Sequence, residues 1–383
     1  MSHLHETRSR KIAGRWRLTA LLLLGGCIAH AESLQDGPYV VRSSDGKWLA
    51  RWIDGEFATA RVRERLVDVG DAVTIGAVGA LPPFDVKIRG VAKLAPDEID
   101  VSSRTPLFVM ADTHGEFEIA VQLLQRQHVI DERLNWTFGK GQLAILGDVF
   151  DRGPQQTELL WLFYKLEAEA ARAGGGVHLA IGNHEAMLLS GDERYLHPKY
   201  KQVAALLGSP RYAQLWSKQT LLGEWLRSRA AVFRLGEYLC LHGGISRELI
   251  DRGLTLQQTN AAVREFLEGA SSERIEFVTG RSGPLWYRGY FAAQARAAGD
   301  EPALSADIDL IRERFKVGTI LVGHTMVPSI TPLYDGRVIA VQVYPHRDQD
   351  SHAPVMEGLS ILRGKLFRAR VDGSVEALAI QPR

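Results

Sequence analysis

From residue 105 onward the chain alternates short, almost unbroken apolar runs with stretches of helical period. Leu107-Phe-Val-Met-Ala-Asp112 is followed by a helical pattern from Phe117 to about Gln127. Leu143-Ala-Ile-Leu-Gly-Asp148 leads to a second, from Gln155 to about Arg172, and Val177-His-Leu-Ala-Ile-Gly-Asn183 to a helical start at Glu185. Brief apolar runs that alternate with helices predict buried parallel strands joined by βαβ crossovers. In such sheets the ligand site lies at the carboxyl ends of the strands. Each of the three runs closes on polar residues able to bind a metal.

Further along, Ala230–Leu235 and Tyr238–Leu241 flank the turn Gly236-Glu237 and predict a hairpin. Thr319-Ile-Leu-Val-Gly-His324 reads as another buried strand, ending in histidine. Val338–Val343, Leu359–Leu362, Leu366–Val371 and Val375–Ile380 predict added antiparallel strands. Upstream, Tyr39–Arg42, Trp48–Ile53 and Phe57–Val62 are separated by Asp45-Gly46 and Asp54-Gly55, which suggests hairpins, and Pro82-Pro83 marks a loop. Residues 32–104 therefore form a β-rich N-terminal extension without evident site chemistry, ahead of a catalytic domain over 105–383. The class is α/β, with two packed sheets and helices outside.

Composition narrows the function. The 383 residues are 45% hydrophobic and 24% charged, which excludes a disordered or coiled-coil chain. A formal charge of +1 with no long basic run excludes nucleic-acid binding through a basic face. Residues 1–17 hold Arg8, Arg10, Lys11, Arg15 and Arg17 against one acid, Glu6. An apolar stretch, Leu18–Leu24, and Ala29-His30-Ala31 follow, as in a secretory signal peptide ending at residue 31. The apolar run falls short of the ~20 residues a spanning helix needs. Leu24-Gly25-Gly26-Cys27 also fits a lipobox, in which case Cys27 would become a lipidated first residue. Export to the periplasm or exterior is expected by either route, with membrane attachment only through that lipid. Cleavage after Ala31 takes the charge from +1 to −3 and leaves Cys240 as the sole cysteine, so no disulfide is needed.

The strand ends together supply Asp112-x-His114, Gly147-Asp148-x-x-Asp151-Arg152-Gly153, Gly182-Asn183-His184-Glu185, His242-Gly243-Gly244 and Gly323-His324. A mixed Asp/Asn/His set without thiolate suits a hydrolytic dinuclear centre of Mn, Fe or Zn, and the histidines disfavour an all-oxygen Mg or Ca site. His128, His178, His197, His346 and His352 match none of these patterns and read as structural or surface residues.

Taken in order, these motifs resemble the phosphoprotein phosphatase branch of the calcineurin-like metallophosphoesterases. The run Gly147-Asp-Val-Phe-Asp-Arg-Gly153, with Pro284-Leu-Trp-Tyr-Arg-Gly289 downstream, is similar to the Shewanella-like phosphatase group. The resemblance covers roughly residues 105–345, with Ala111 standing where the first motif usually has glycine. It implies a four-layer α/β/β/α sandwich holding two divalent ions, Mn²⁺ first, with Fe or Zn as alternatives. Asp112 and His114 would hold the first metal, Asp148 would bridge both, and Asn183, His242 and His324 would complete the second. A metal-bound hydroxide would attack phosphorus in line, with His184 as general acid oriented by Asp151. Arg152 would clamp the phosphate through a planar fork. Arg288 reads equally as a second clamp or an ordinary loop arginine, and Glu185 as support for the site. Tyr195, Tyr200, Tyr212, Trp216 and Trp225 could line a groove but fit core or lid packing better.

The function so implied is an exported phosphomonoesterase acting on phosphotyrosine or phosphoserine/threonine in a protein or small phosphoester. The alternatives are a dinucleoside polyphosphate or nucleotide hydrolase on the same scaffold, and a non-catalytic phosphate-binding module.

Overall fold

In a computed structural model, residues 33–43, 45–56, 59–297, 299 and 301–380 are described. The leader over 1–31 and Cys27 lie outside the described residues. Strands β1 (Asp36–Arg42), β2 (Trp48–Asp54) and β3 (Arg61–Val67) make an antiparallel sheet. The third strand lies later than the apolar pattern suggests. It is written in charged residues, and their partners lie across the strand: Arg63 stacks on Trp52 at 4.3 Å and Arg51 pairs with Glu64 at 2.7 Å. β4 (Ala72–Ile75) and β5 (Phe84–Lys87) form a separate hairpin, and β6 (Glu98–Ile99) is a short edge strand.

The expected alternation then follows: β7 (Leu107–Met110), α1 (Phe117–Arg126), β8 (Gln142–Ile145), α2 (Gln156–Ala173), β9 (Gly176–Leu179) and α3 (Asn183–Leu189). β7, β8 and β9 pair in parallel. Helix α2 stops where Gly174 enters the left-handed region at φ 79°, a turn that frees the chain to enter β9. Next come α4 (Pro198–Leu206), α5 (Leu221–Arg227) and the hairpin β10 (Val232–Leu235) and β11 (Tyr238–Leu241). Helices α6 (Arg247–Asp251), α7 (Leu256–Leu267), α8 (Glu273–Thr279), α9 (Ala292–Ala297) and α10 (Ser305–Phe315) precede β12 (Thr319–Val322). The chain closes with β13 (Thr331–Leu333), β14 (Val338–Ala340), the small hairpin β15 (His346–Arg347) and β16 (Pro354–Val355), and β17 (Glu357–Leu362), β18 (Lys365–Arg370) and β19 (Val375–Ala377).

Two six-stranded mixed sheets result, ordered β19-β18-β17-β7-β8-β9 and β13-β14-β12-β11-β10-β6. One strand departs from expectation: β14 runs parallel to β12 and antiparallel only to β13, because the intervening turn at 334–336 reverses the chain first. Alternate side chains on the same strand serve two different cores. Leu107 and Val109, with Ala144, meet Phe233, Leu235, Cys240, Leu321 and Ile339 between the sheets. Phe108, Met110, Leu143 and Ile145 point the other way, into the core that holds α1 and α2. Burial on both faces is the reason β7 is apolar at every position and β8 at all but Gln142. It also makes the architecture the four-layer mixed α/β sandwich.

Residues from Ser33 onward form one unit. β1 packs against α2 and α5, with Trp161 Nε1 donating to Pro38 O at 2.9 Å. Cys240 is a buried free thiol that burial holds protonated.

Candidate active site

The candidate residues other than Arg288, which lies in the loop between α8 and α9, sit where strands of both sheets end: after β7 (Asp112, His114), β8 (Asp148, Asp151, Arg152), β9 (Asn183, His184), β11 (His242) and β12 (His324). The backbone there is unusual. Asp112 and His114 have φ of 42°, Asp148 57°, His324 61°, Arg152 66° and Asp151 70°. Each non-glycine residue in the left-handed region costs on the order of 1 kcal/mol. Six of them at one place mean that the surrounding fold forces these side chains toward a common point. Gly147, at φ 90°, lets two of the loops touch, since a Cβ there would lie 2.7 Å from the backbone of Gly182.

Asp148 is the centre of the arrangement. Its Oδ2 lies 3.1 Å from His242 Nε2, 3.7 Å from His114 Nε2 and 3.8 Å from His184 Nε2. Two groups of potential metal donors share it, His114/Asp148/His184 and Asp148/His242/His324. Asn183 Oδ1 is 2.8 Å from His242 Nε2, and His324 Nδ1 is 3.1 Å from the same nitrogen. Asp112 lies between the groups, with Oδ2 4.0 Å from His114 Nε2 and Oδ1 accepting the His324 backbone N–H at 3.1 Å. The structure brings these sequence-read donors together, and one of them lies nearer the centre than its assigned role requires. His184, read as an acid, stands as close to Asp148 as His114 does.

This set fits divalent cations. His242 Nδ1 and His114 Nδ1 face the carbonyls of Leu146 and Phe150 at 2.7 and 2.8 Å, which leaves each Nε2 as the lone-pair atom turned to the centre. Around His242 Nε2 an amide oxygen, a carboxylate oxygen and a second imidazole nitrogen then crowd together, and His324 Nε2 is buried without a hydrogen-bond partner. Several acceptors converging on one another call for a cation between them. Imidazole, carboxylate and amide donors suit Mn, Fe or Zn.

Electrostatics agree. Burial alone would strip His242 of its proton, but Asp148 and Asp112 outweigh it and push its pKa up to about 9. A bound metal ion would take over the work of that proton. Burial raises Asp112 to about 7, against the pull of His242. Burial lowers His114 to about 3 and so keeps it a neutral donor. Asp148 stays well below the usual carboxylate range despite burial, because His242 and His184 surround it.

A hydrogen-bonded dyad adjoins this centre. His184 Nδ1 meets Asp151 Oδ2 at 2.6 Å, leaving Nε2 to face the donors. Burial would lower the His184 pKa, but Asp148 and Asp151 overcome it and raise the value above the ordinary. Two basic side chains border the centre. Arg152 is exposed, with its guanidinium 5.6 Å over the Tyr344 ring. Arg288 is half-buried, in the field of Asp112, Asp148 and Arg152. Three aromatic rings complete the surroundings: Tyr195 is 5.2 Å from His184, Tyr344 5.9 Å from His114 and Trp286 5.8 Å from His324. Of the five aromatics weighed in the 183–235 segment, only Tyr195 is exposed; Tyr200, Tyr212, Trp216 and Trp225 are core.

Glu185 supports the whole assembly. Its two oxygens accept backbone N–H bonds from Asp148 and Gly182 (2.8 Å each), Val149 (2.7 Å) and Phe150 (3.2 Å). It thereby fixes the turn that carries the central carboxylate. A carboxylate accepting several such bonds is worth well over a single neutral hydrogen bond. Glu185→Ala should lower the unfolding free energy by about 3–5 kcal/mol, since four buried donors lose their acceptor together. Urea denaturation of the variant would show it, and a change below ~1 kcal/mol would mean that the turn holds itself.

Comparisons with known proteins concur. The family model for the calcineurin-like phosphoesterase matches residues 105–328. An uncharacterized protein of Schizosaccharomyces pombe is 28% identical over 253 residues, spanning 64% of this chain and 74% of that protein. Shewanella-like protein phosphatase 2 of Arabidopsis thaliana is 26% identical over 266 residues, spanning 57% of this chain and 66% of its own length. A solved cold-active protein-tyrosine phosphatase of a psychrophilic Shewanella superposes with a TM-score of 0.78 at 34% identity, covering 90% of this chain and 99% of that one. This likeness reaches well past residues 105–328.

Proposed function

The chain belongs to the calcineurin-like phosphoesterase family and is a Shewanella-like, metal-dependent phosphoester hydrolase of protein-phosphatase type; on that premise we propose that it is a dinuclear phosphomonoesterase that removes phosphate from phosphotyrosine in proteins or peptides, with phosphoserine and phosphothreonine as slower substrates. The observation that carries the dinuclear reading is the single carboxylate, Asp148, shared by two donor groups. The tyrosine preference is supported by the name of the Shewanella structure, which covers most of the chain.

Asp112, His114 and Asp148 would hold one ion, and Asp148, Asn183, His242 and His324 the other. When bound, the pair supplies Lewis acidity and draws the pKa of water from ~15.7 toward ~7. The protein's own groups do the rest. Arg152 and Arg288 bind phosphate oxygens and orient the ester. Asp151 fixes the His184 ring through Nδ1, so that Nε2 presents its proton to the leaving oxygen. The test is turnover of a panel of phosphotyrosine, phosphoserine and phosphothreonine peptides by metal-reconstituted protein. Preference for diadenosine tetraphosphate over every peptide would overturn the reading.

Arg152→Ala separates the clamp from the metal site. The guanidinium is exposed and forms no hydrogen bond to the donor residues, so bound metal should stay at the parent level while KM rises about tenfold, the weight of a lost charged hydrogen bond. Unchanged KM and unchanged inhibition by inorganic phosphate would remove Arg152 from the role.

The basic-then-apolar leader of residues 1–31 supports export. Protein recovered from its native host should begin at Glu32, or at a lipidated Cys27, when read by N-terminal mass analysis. An intact Met1 would count against both routes.

A further inference from the structure

The loop between α3 and α4 brings one exposed ring against the proposed proton donor. Tyr195 lies 5.2 Å from His184, ring centre to ring centre, with the two planes inclined at 45°. His184 is 3% exposed, whereas Tyr195 keeps 49% of its surface open to solvent. An exposed tyrosine is ordinary on its own. Its position is not, because an oxygen that receives a proton from His184 Nε2 carries the rest of the leaving group past this point.

The other two rings at the centre are placed differently. The Arg152 guanidinium lies 5.6 Å over the Tyr344 ring, and Tyr344 neighbours His114 and not the donor. Trp286 stands beside His324, a proposed ligand of the second ion.

The loop that carries Tyr195 is pinned on both sides. Tyr195 O accepts the Arg152 N–H at 3.0 Å, so the ring and the phosphate clamp share one backbone anchor. Leu196 beside it is buried, and its N–H donates to Glu193 O at 3.1 Å. Glu193 Oε1 in turn accepts the Ala213 N–H at 2.8 Å. A ring whose backbone is already fixed loses little freedom when a ligand packs on it.

Resting on the phosphomonoesterase reading, we infer that Tyr195 is the specificity-determining residue for an aromatic leaving group, its open face receiving the phenyl ring of phosphotyrosine while His184 serves the ester oxygen. The phenyl ring of that ester is joined directly to the oxygen, so it falls beside whatever flanks the donor. Aromatic pairs favour ring centres roughly 4.5–7 Å apart, offset or edge to face. Phosphoserine brings a single methylene to the same place and has no ring to set against Tyr195.

Benzylphosphonate and methylphosphonate test this by isothermal titration to the metal-loaded protein. Neither has an ester bond to break, so the readout is binding alone. The parent should hold benzylphosphonate about tenfold tighter than methylphosphonate, the weight of a packed aromatic pair. Tyr195→Ala should remove most of that preference and leave methylphosphonate within about twofold of the parent. Tyr195→Phe, which keeps the ring and drops the hydroxyl, should match the parent for both. Absent benzylphosphonate binding, or equal affinity of the parent for the two ligands, overturns the proposal. So does a Tyr195→Ala that weakens both alike, the mark of a ring that only steadies His184, or one that weakens neither. Loss of the preference in Tyr195→Phe also overturns it, by moving the contact to the hydroxyl. The peptide panel fails separately. Preference for diadenosine tetraphosphate ends the protein-phosphatase reading whatever Tyr195 does. Turnover of phosphotyrosine peptides by a parent whose Tyr195→Ala variant binds benzylphosphonate equally well ends this inference alone.

Discussion

Asp148→Asn is expected to lower bound metal from two ions per chain to one or none and to reduce kcat/KM by at least ~10³-fold. The substitution keeps the size of the side chain and keeps an oxygen able to accept the His184 backbone N–H, now made by Oδ1 at 3.0 Å. The fold should therefore persist, with a far-ultraviolet spectrum like the parent's. What disappears is the only negative charge common to both donor groups. Transition-state stabilisation by the cations is worth several kcal/mol, and each 1.36 kcal/mol is a factor of ten. The neighbours respond in a definite direction. Asp148 is the chief influence that raises His242 against burial, so in the metal-free variant His242 should lose its proton at lower pH. Metal analysis by mass spectrometry, together with peptide turnover, makes the test. Two ions and near-parental turnover in the variant would show that the centre is held by other ligands and that Asp148 is not its bridge.

The reason so much of this centre is readable in the sequence lies in β7, β8 and β9. β7 is buried and apolar at every position and β8 from Leu143 onward, so their ends are sharply marked by the next polar residues, Asp112 and Asp148, whereas β9, half-exposed on one face, carries His178 before Asn183 is reached. The left-handed backbone at Asp112, His114 and Asp148 needs small loops with glycine nearby, and the motifs carry it. What the sequence hides depends on distance. β3 is concealed because Arg63 and Glu64 are stabilised by Trp52 and Arg51 across the sheet, not by a core beneath them. The ring of Tyr344 reaches the site from a stretch that shows no local pattern of catalysis, whereas Trp286 belongs to the Pro284–Gly289 run that the sequence already sets apart. Support for Asp151 is equally remote. Its backbone N–H donates to Gln156 Oε1 at 2.7 Å, Gln156 Nε2 to Tyr212 OH at 3.0 Å, and Tyr39 OH to Tyr212 OH at 3.1 Å. That chain ties β1 of the N-terminal segment to the catalytic loop across more than a hundred residues, and no periodicity announces it.

The dyad so supported makes the sharpest claim about chemistry. With Nδ1 committed to Asp151 and its pKa raised by Asp148 and Asp151 against burial, His184 in the proposed mechanism would keep a proton on Nε2 and release it to a departing oxygen. Such donation is worth roughly 10²–10⁴-fold, about 3–5 kcal/mol of barrier. The benefit depends on the leaving group. A serine alkoxide is a strong base and leaves badly without a proton, nitrophenolate leaves readily, and tyrosine phenolate lies between. His184→Asn should therefore retain both ions, since its backbone N–H still reaches Asp148. Its kcat should fall by about 10²–10⁴-fold on phosphoserine peptide, less on phosphotyrosine peptide and least on nitrophenyl phosphate. Asp151→Asn should give the same order with smaller losses, because the ring is misoriented but still present. A histidine that served mainly as a metal ligand, as its 3.8 Å approach to Asp148 would also allow, predicts something else. Metal content would then drop, and all three substrates would lose rate together. With single-turnover rates isolating the chemical step, an equal loss on the three esters rejects the proton-donor role, and a graded loss with full metal content establishes it.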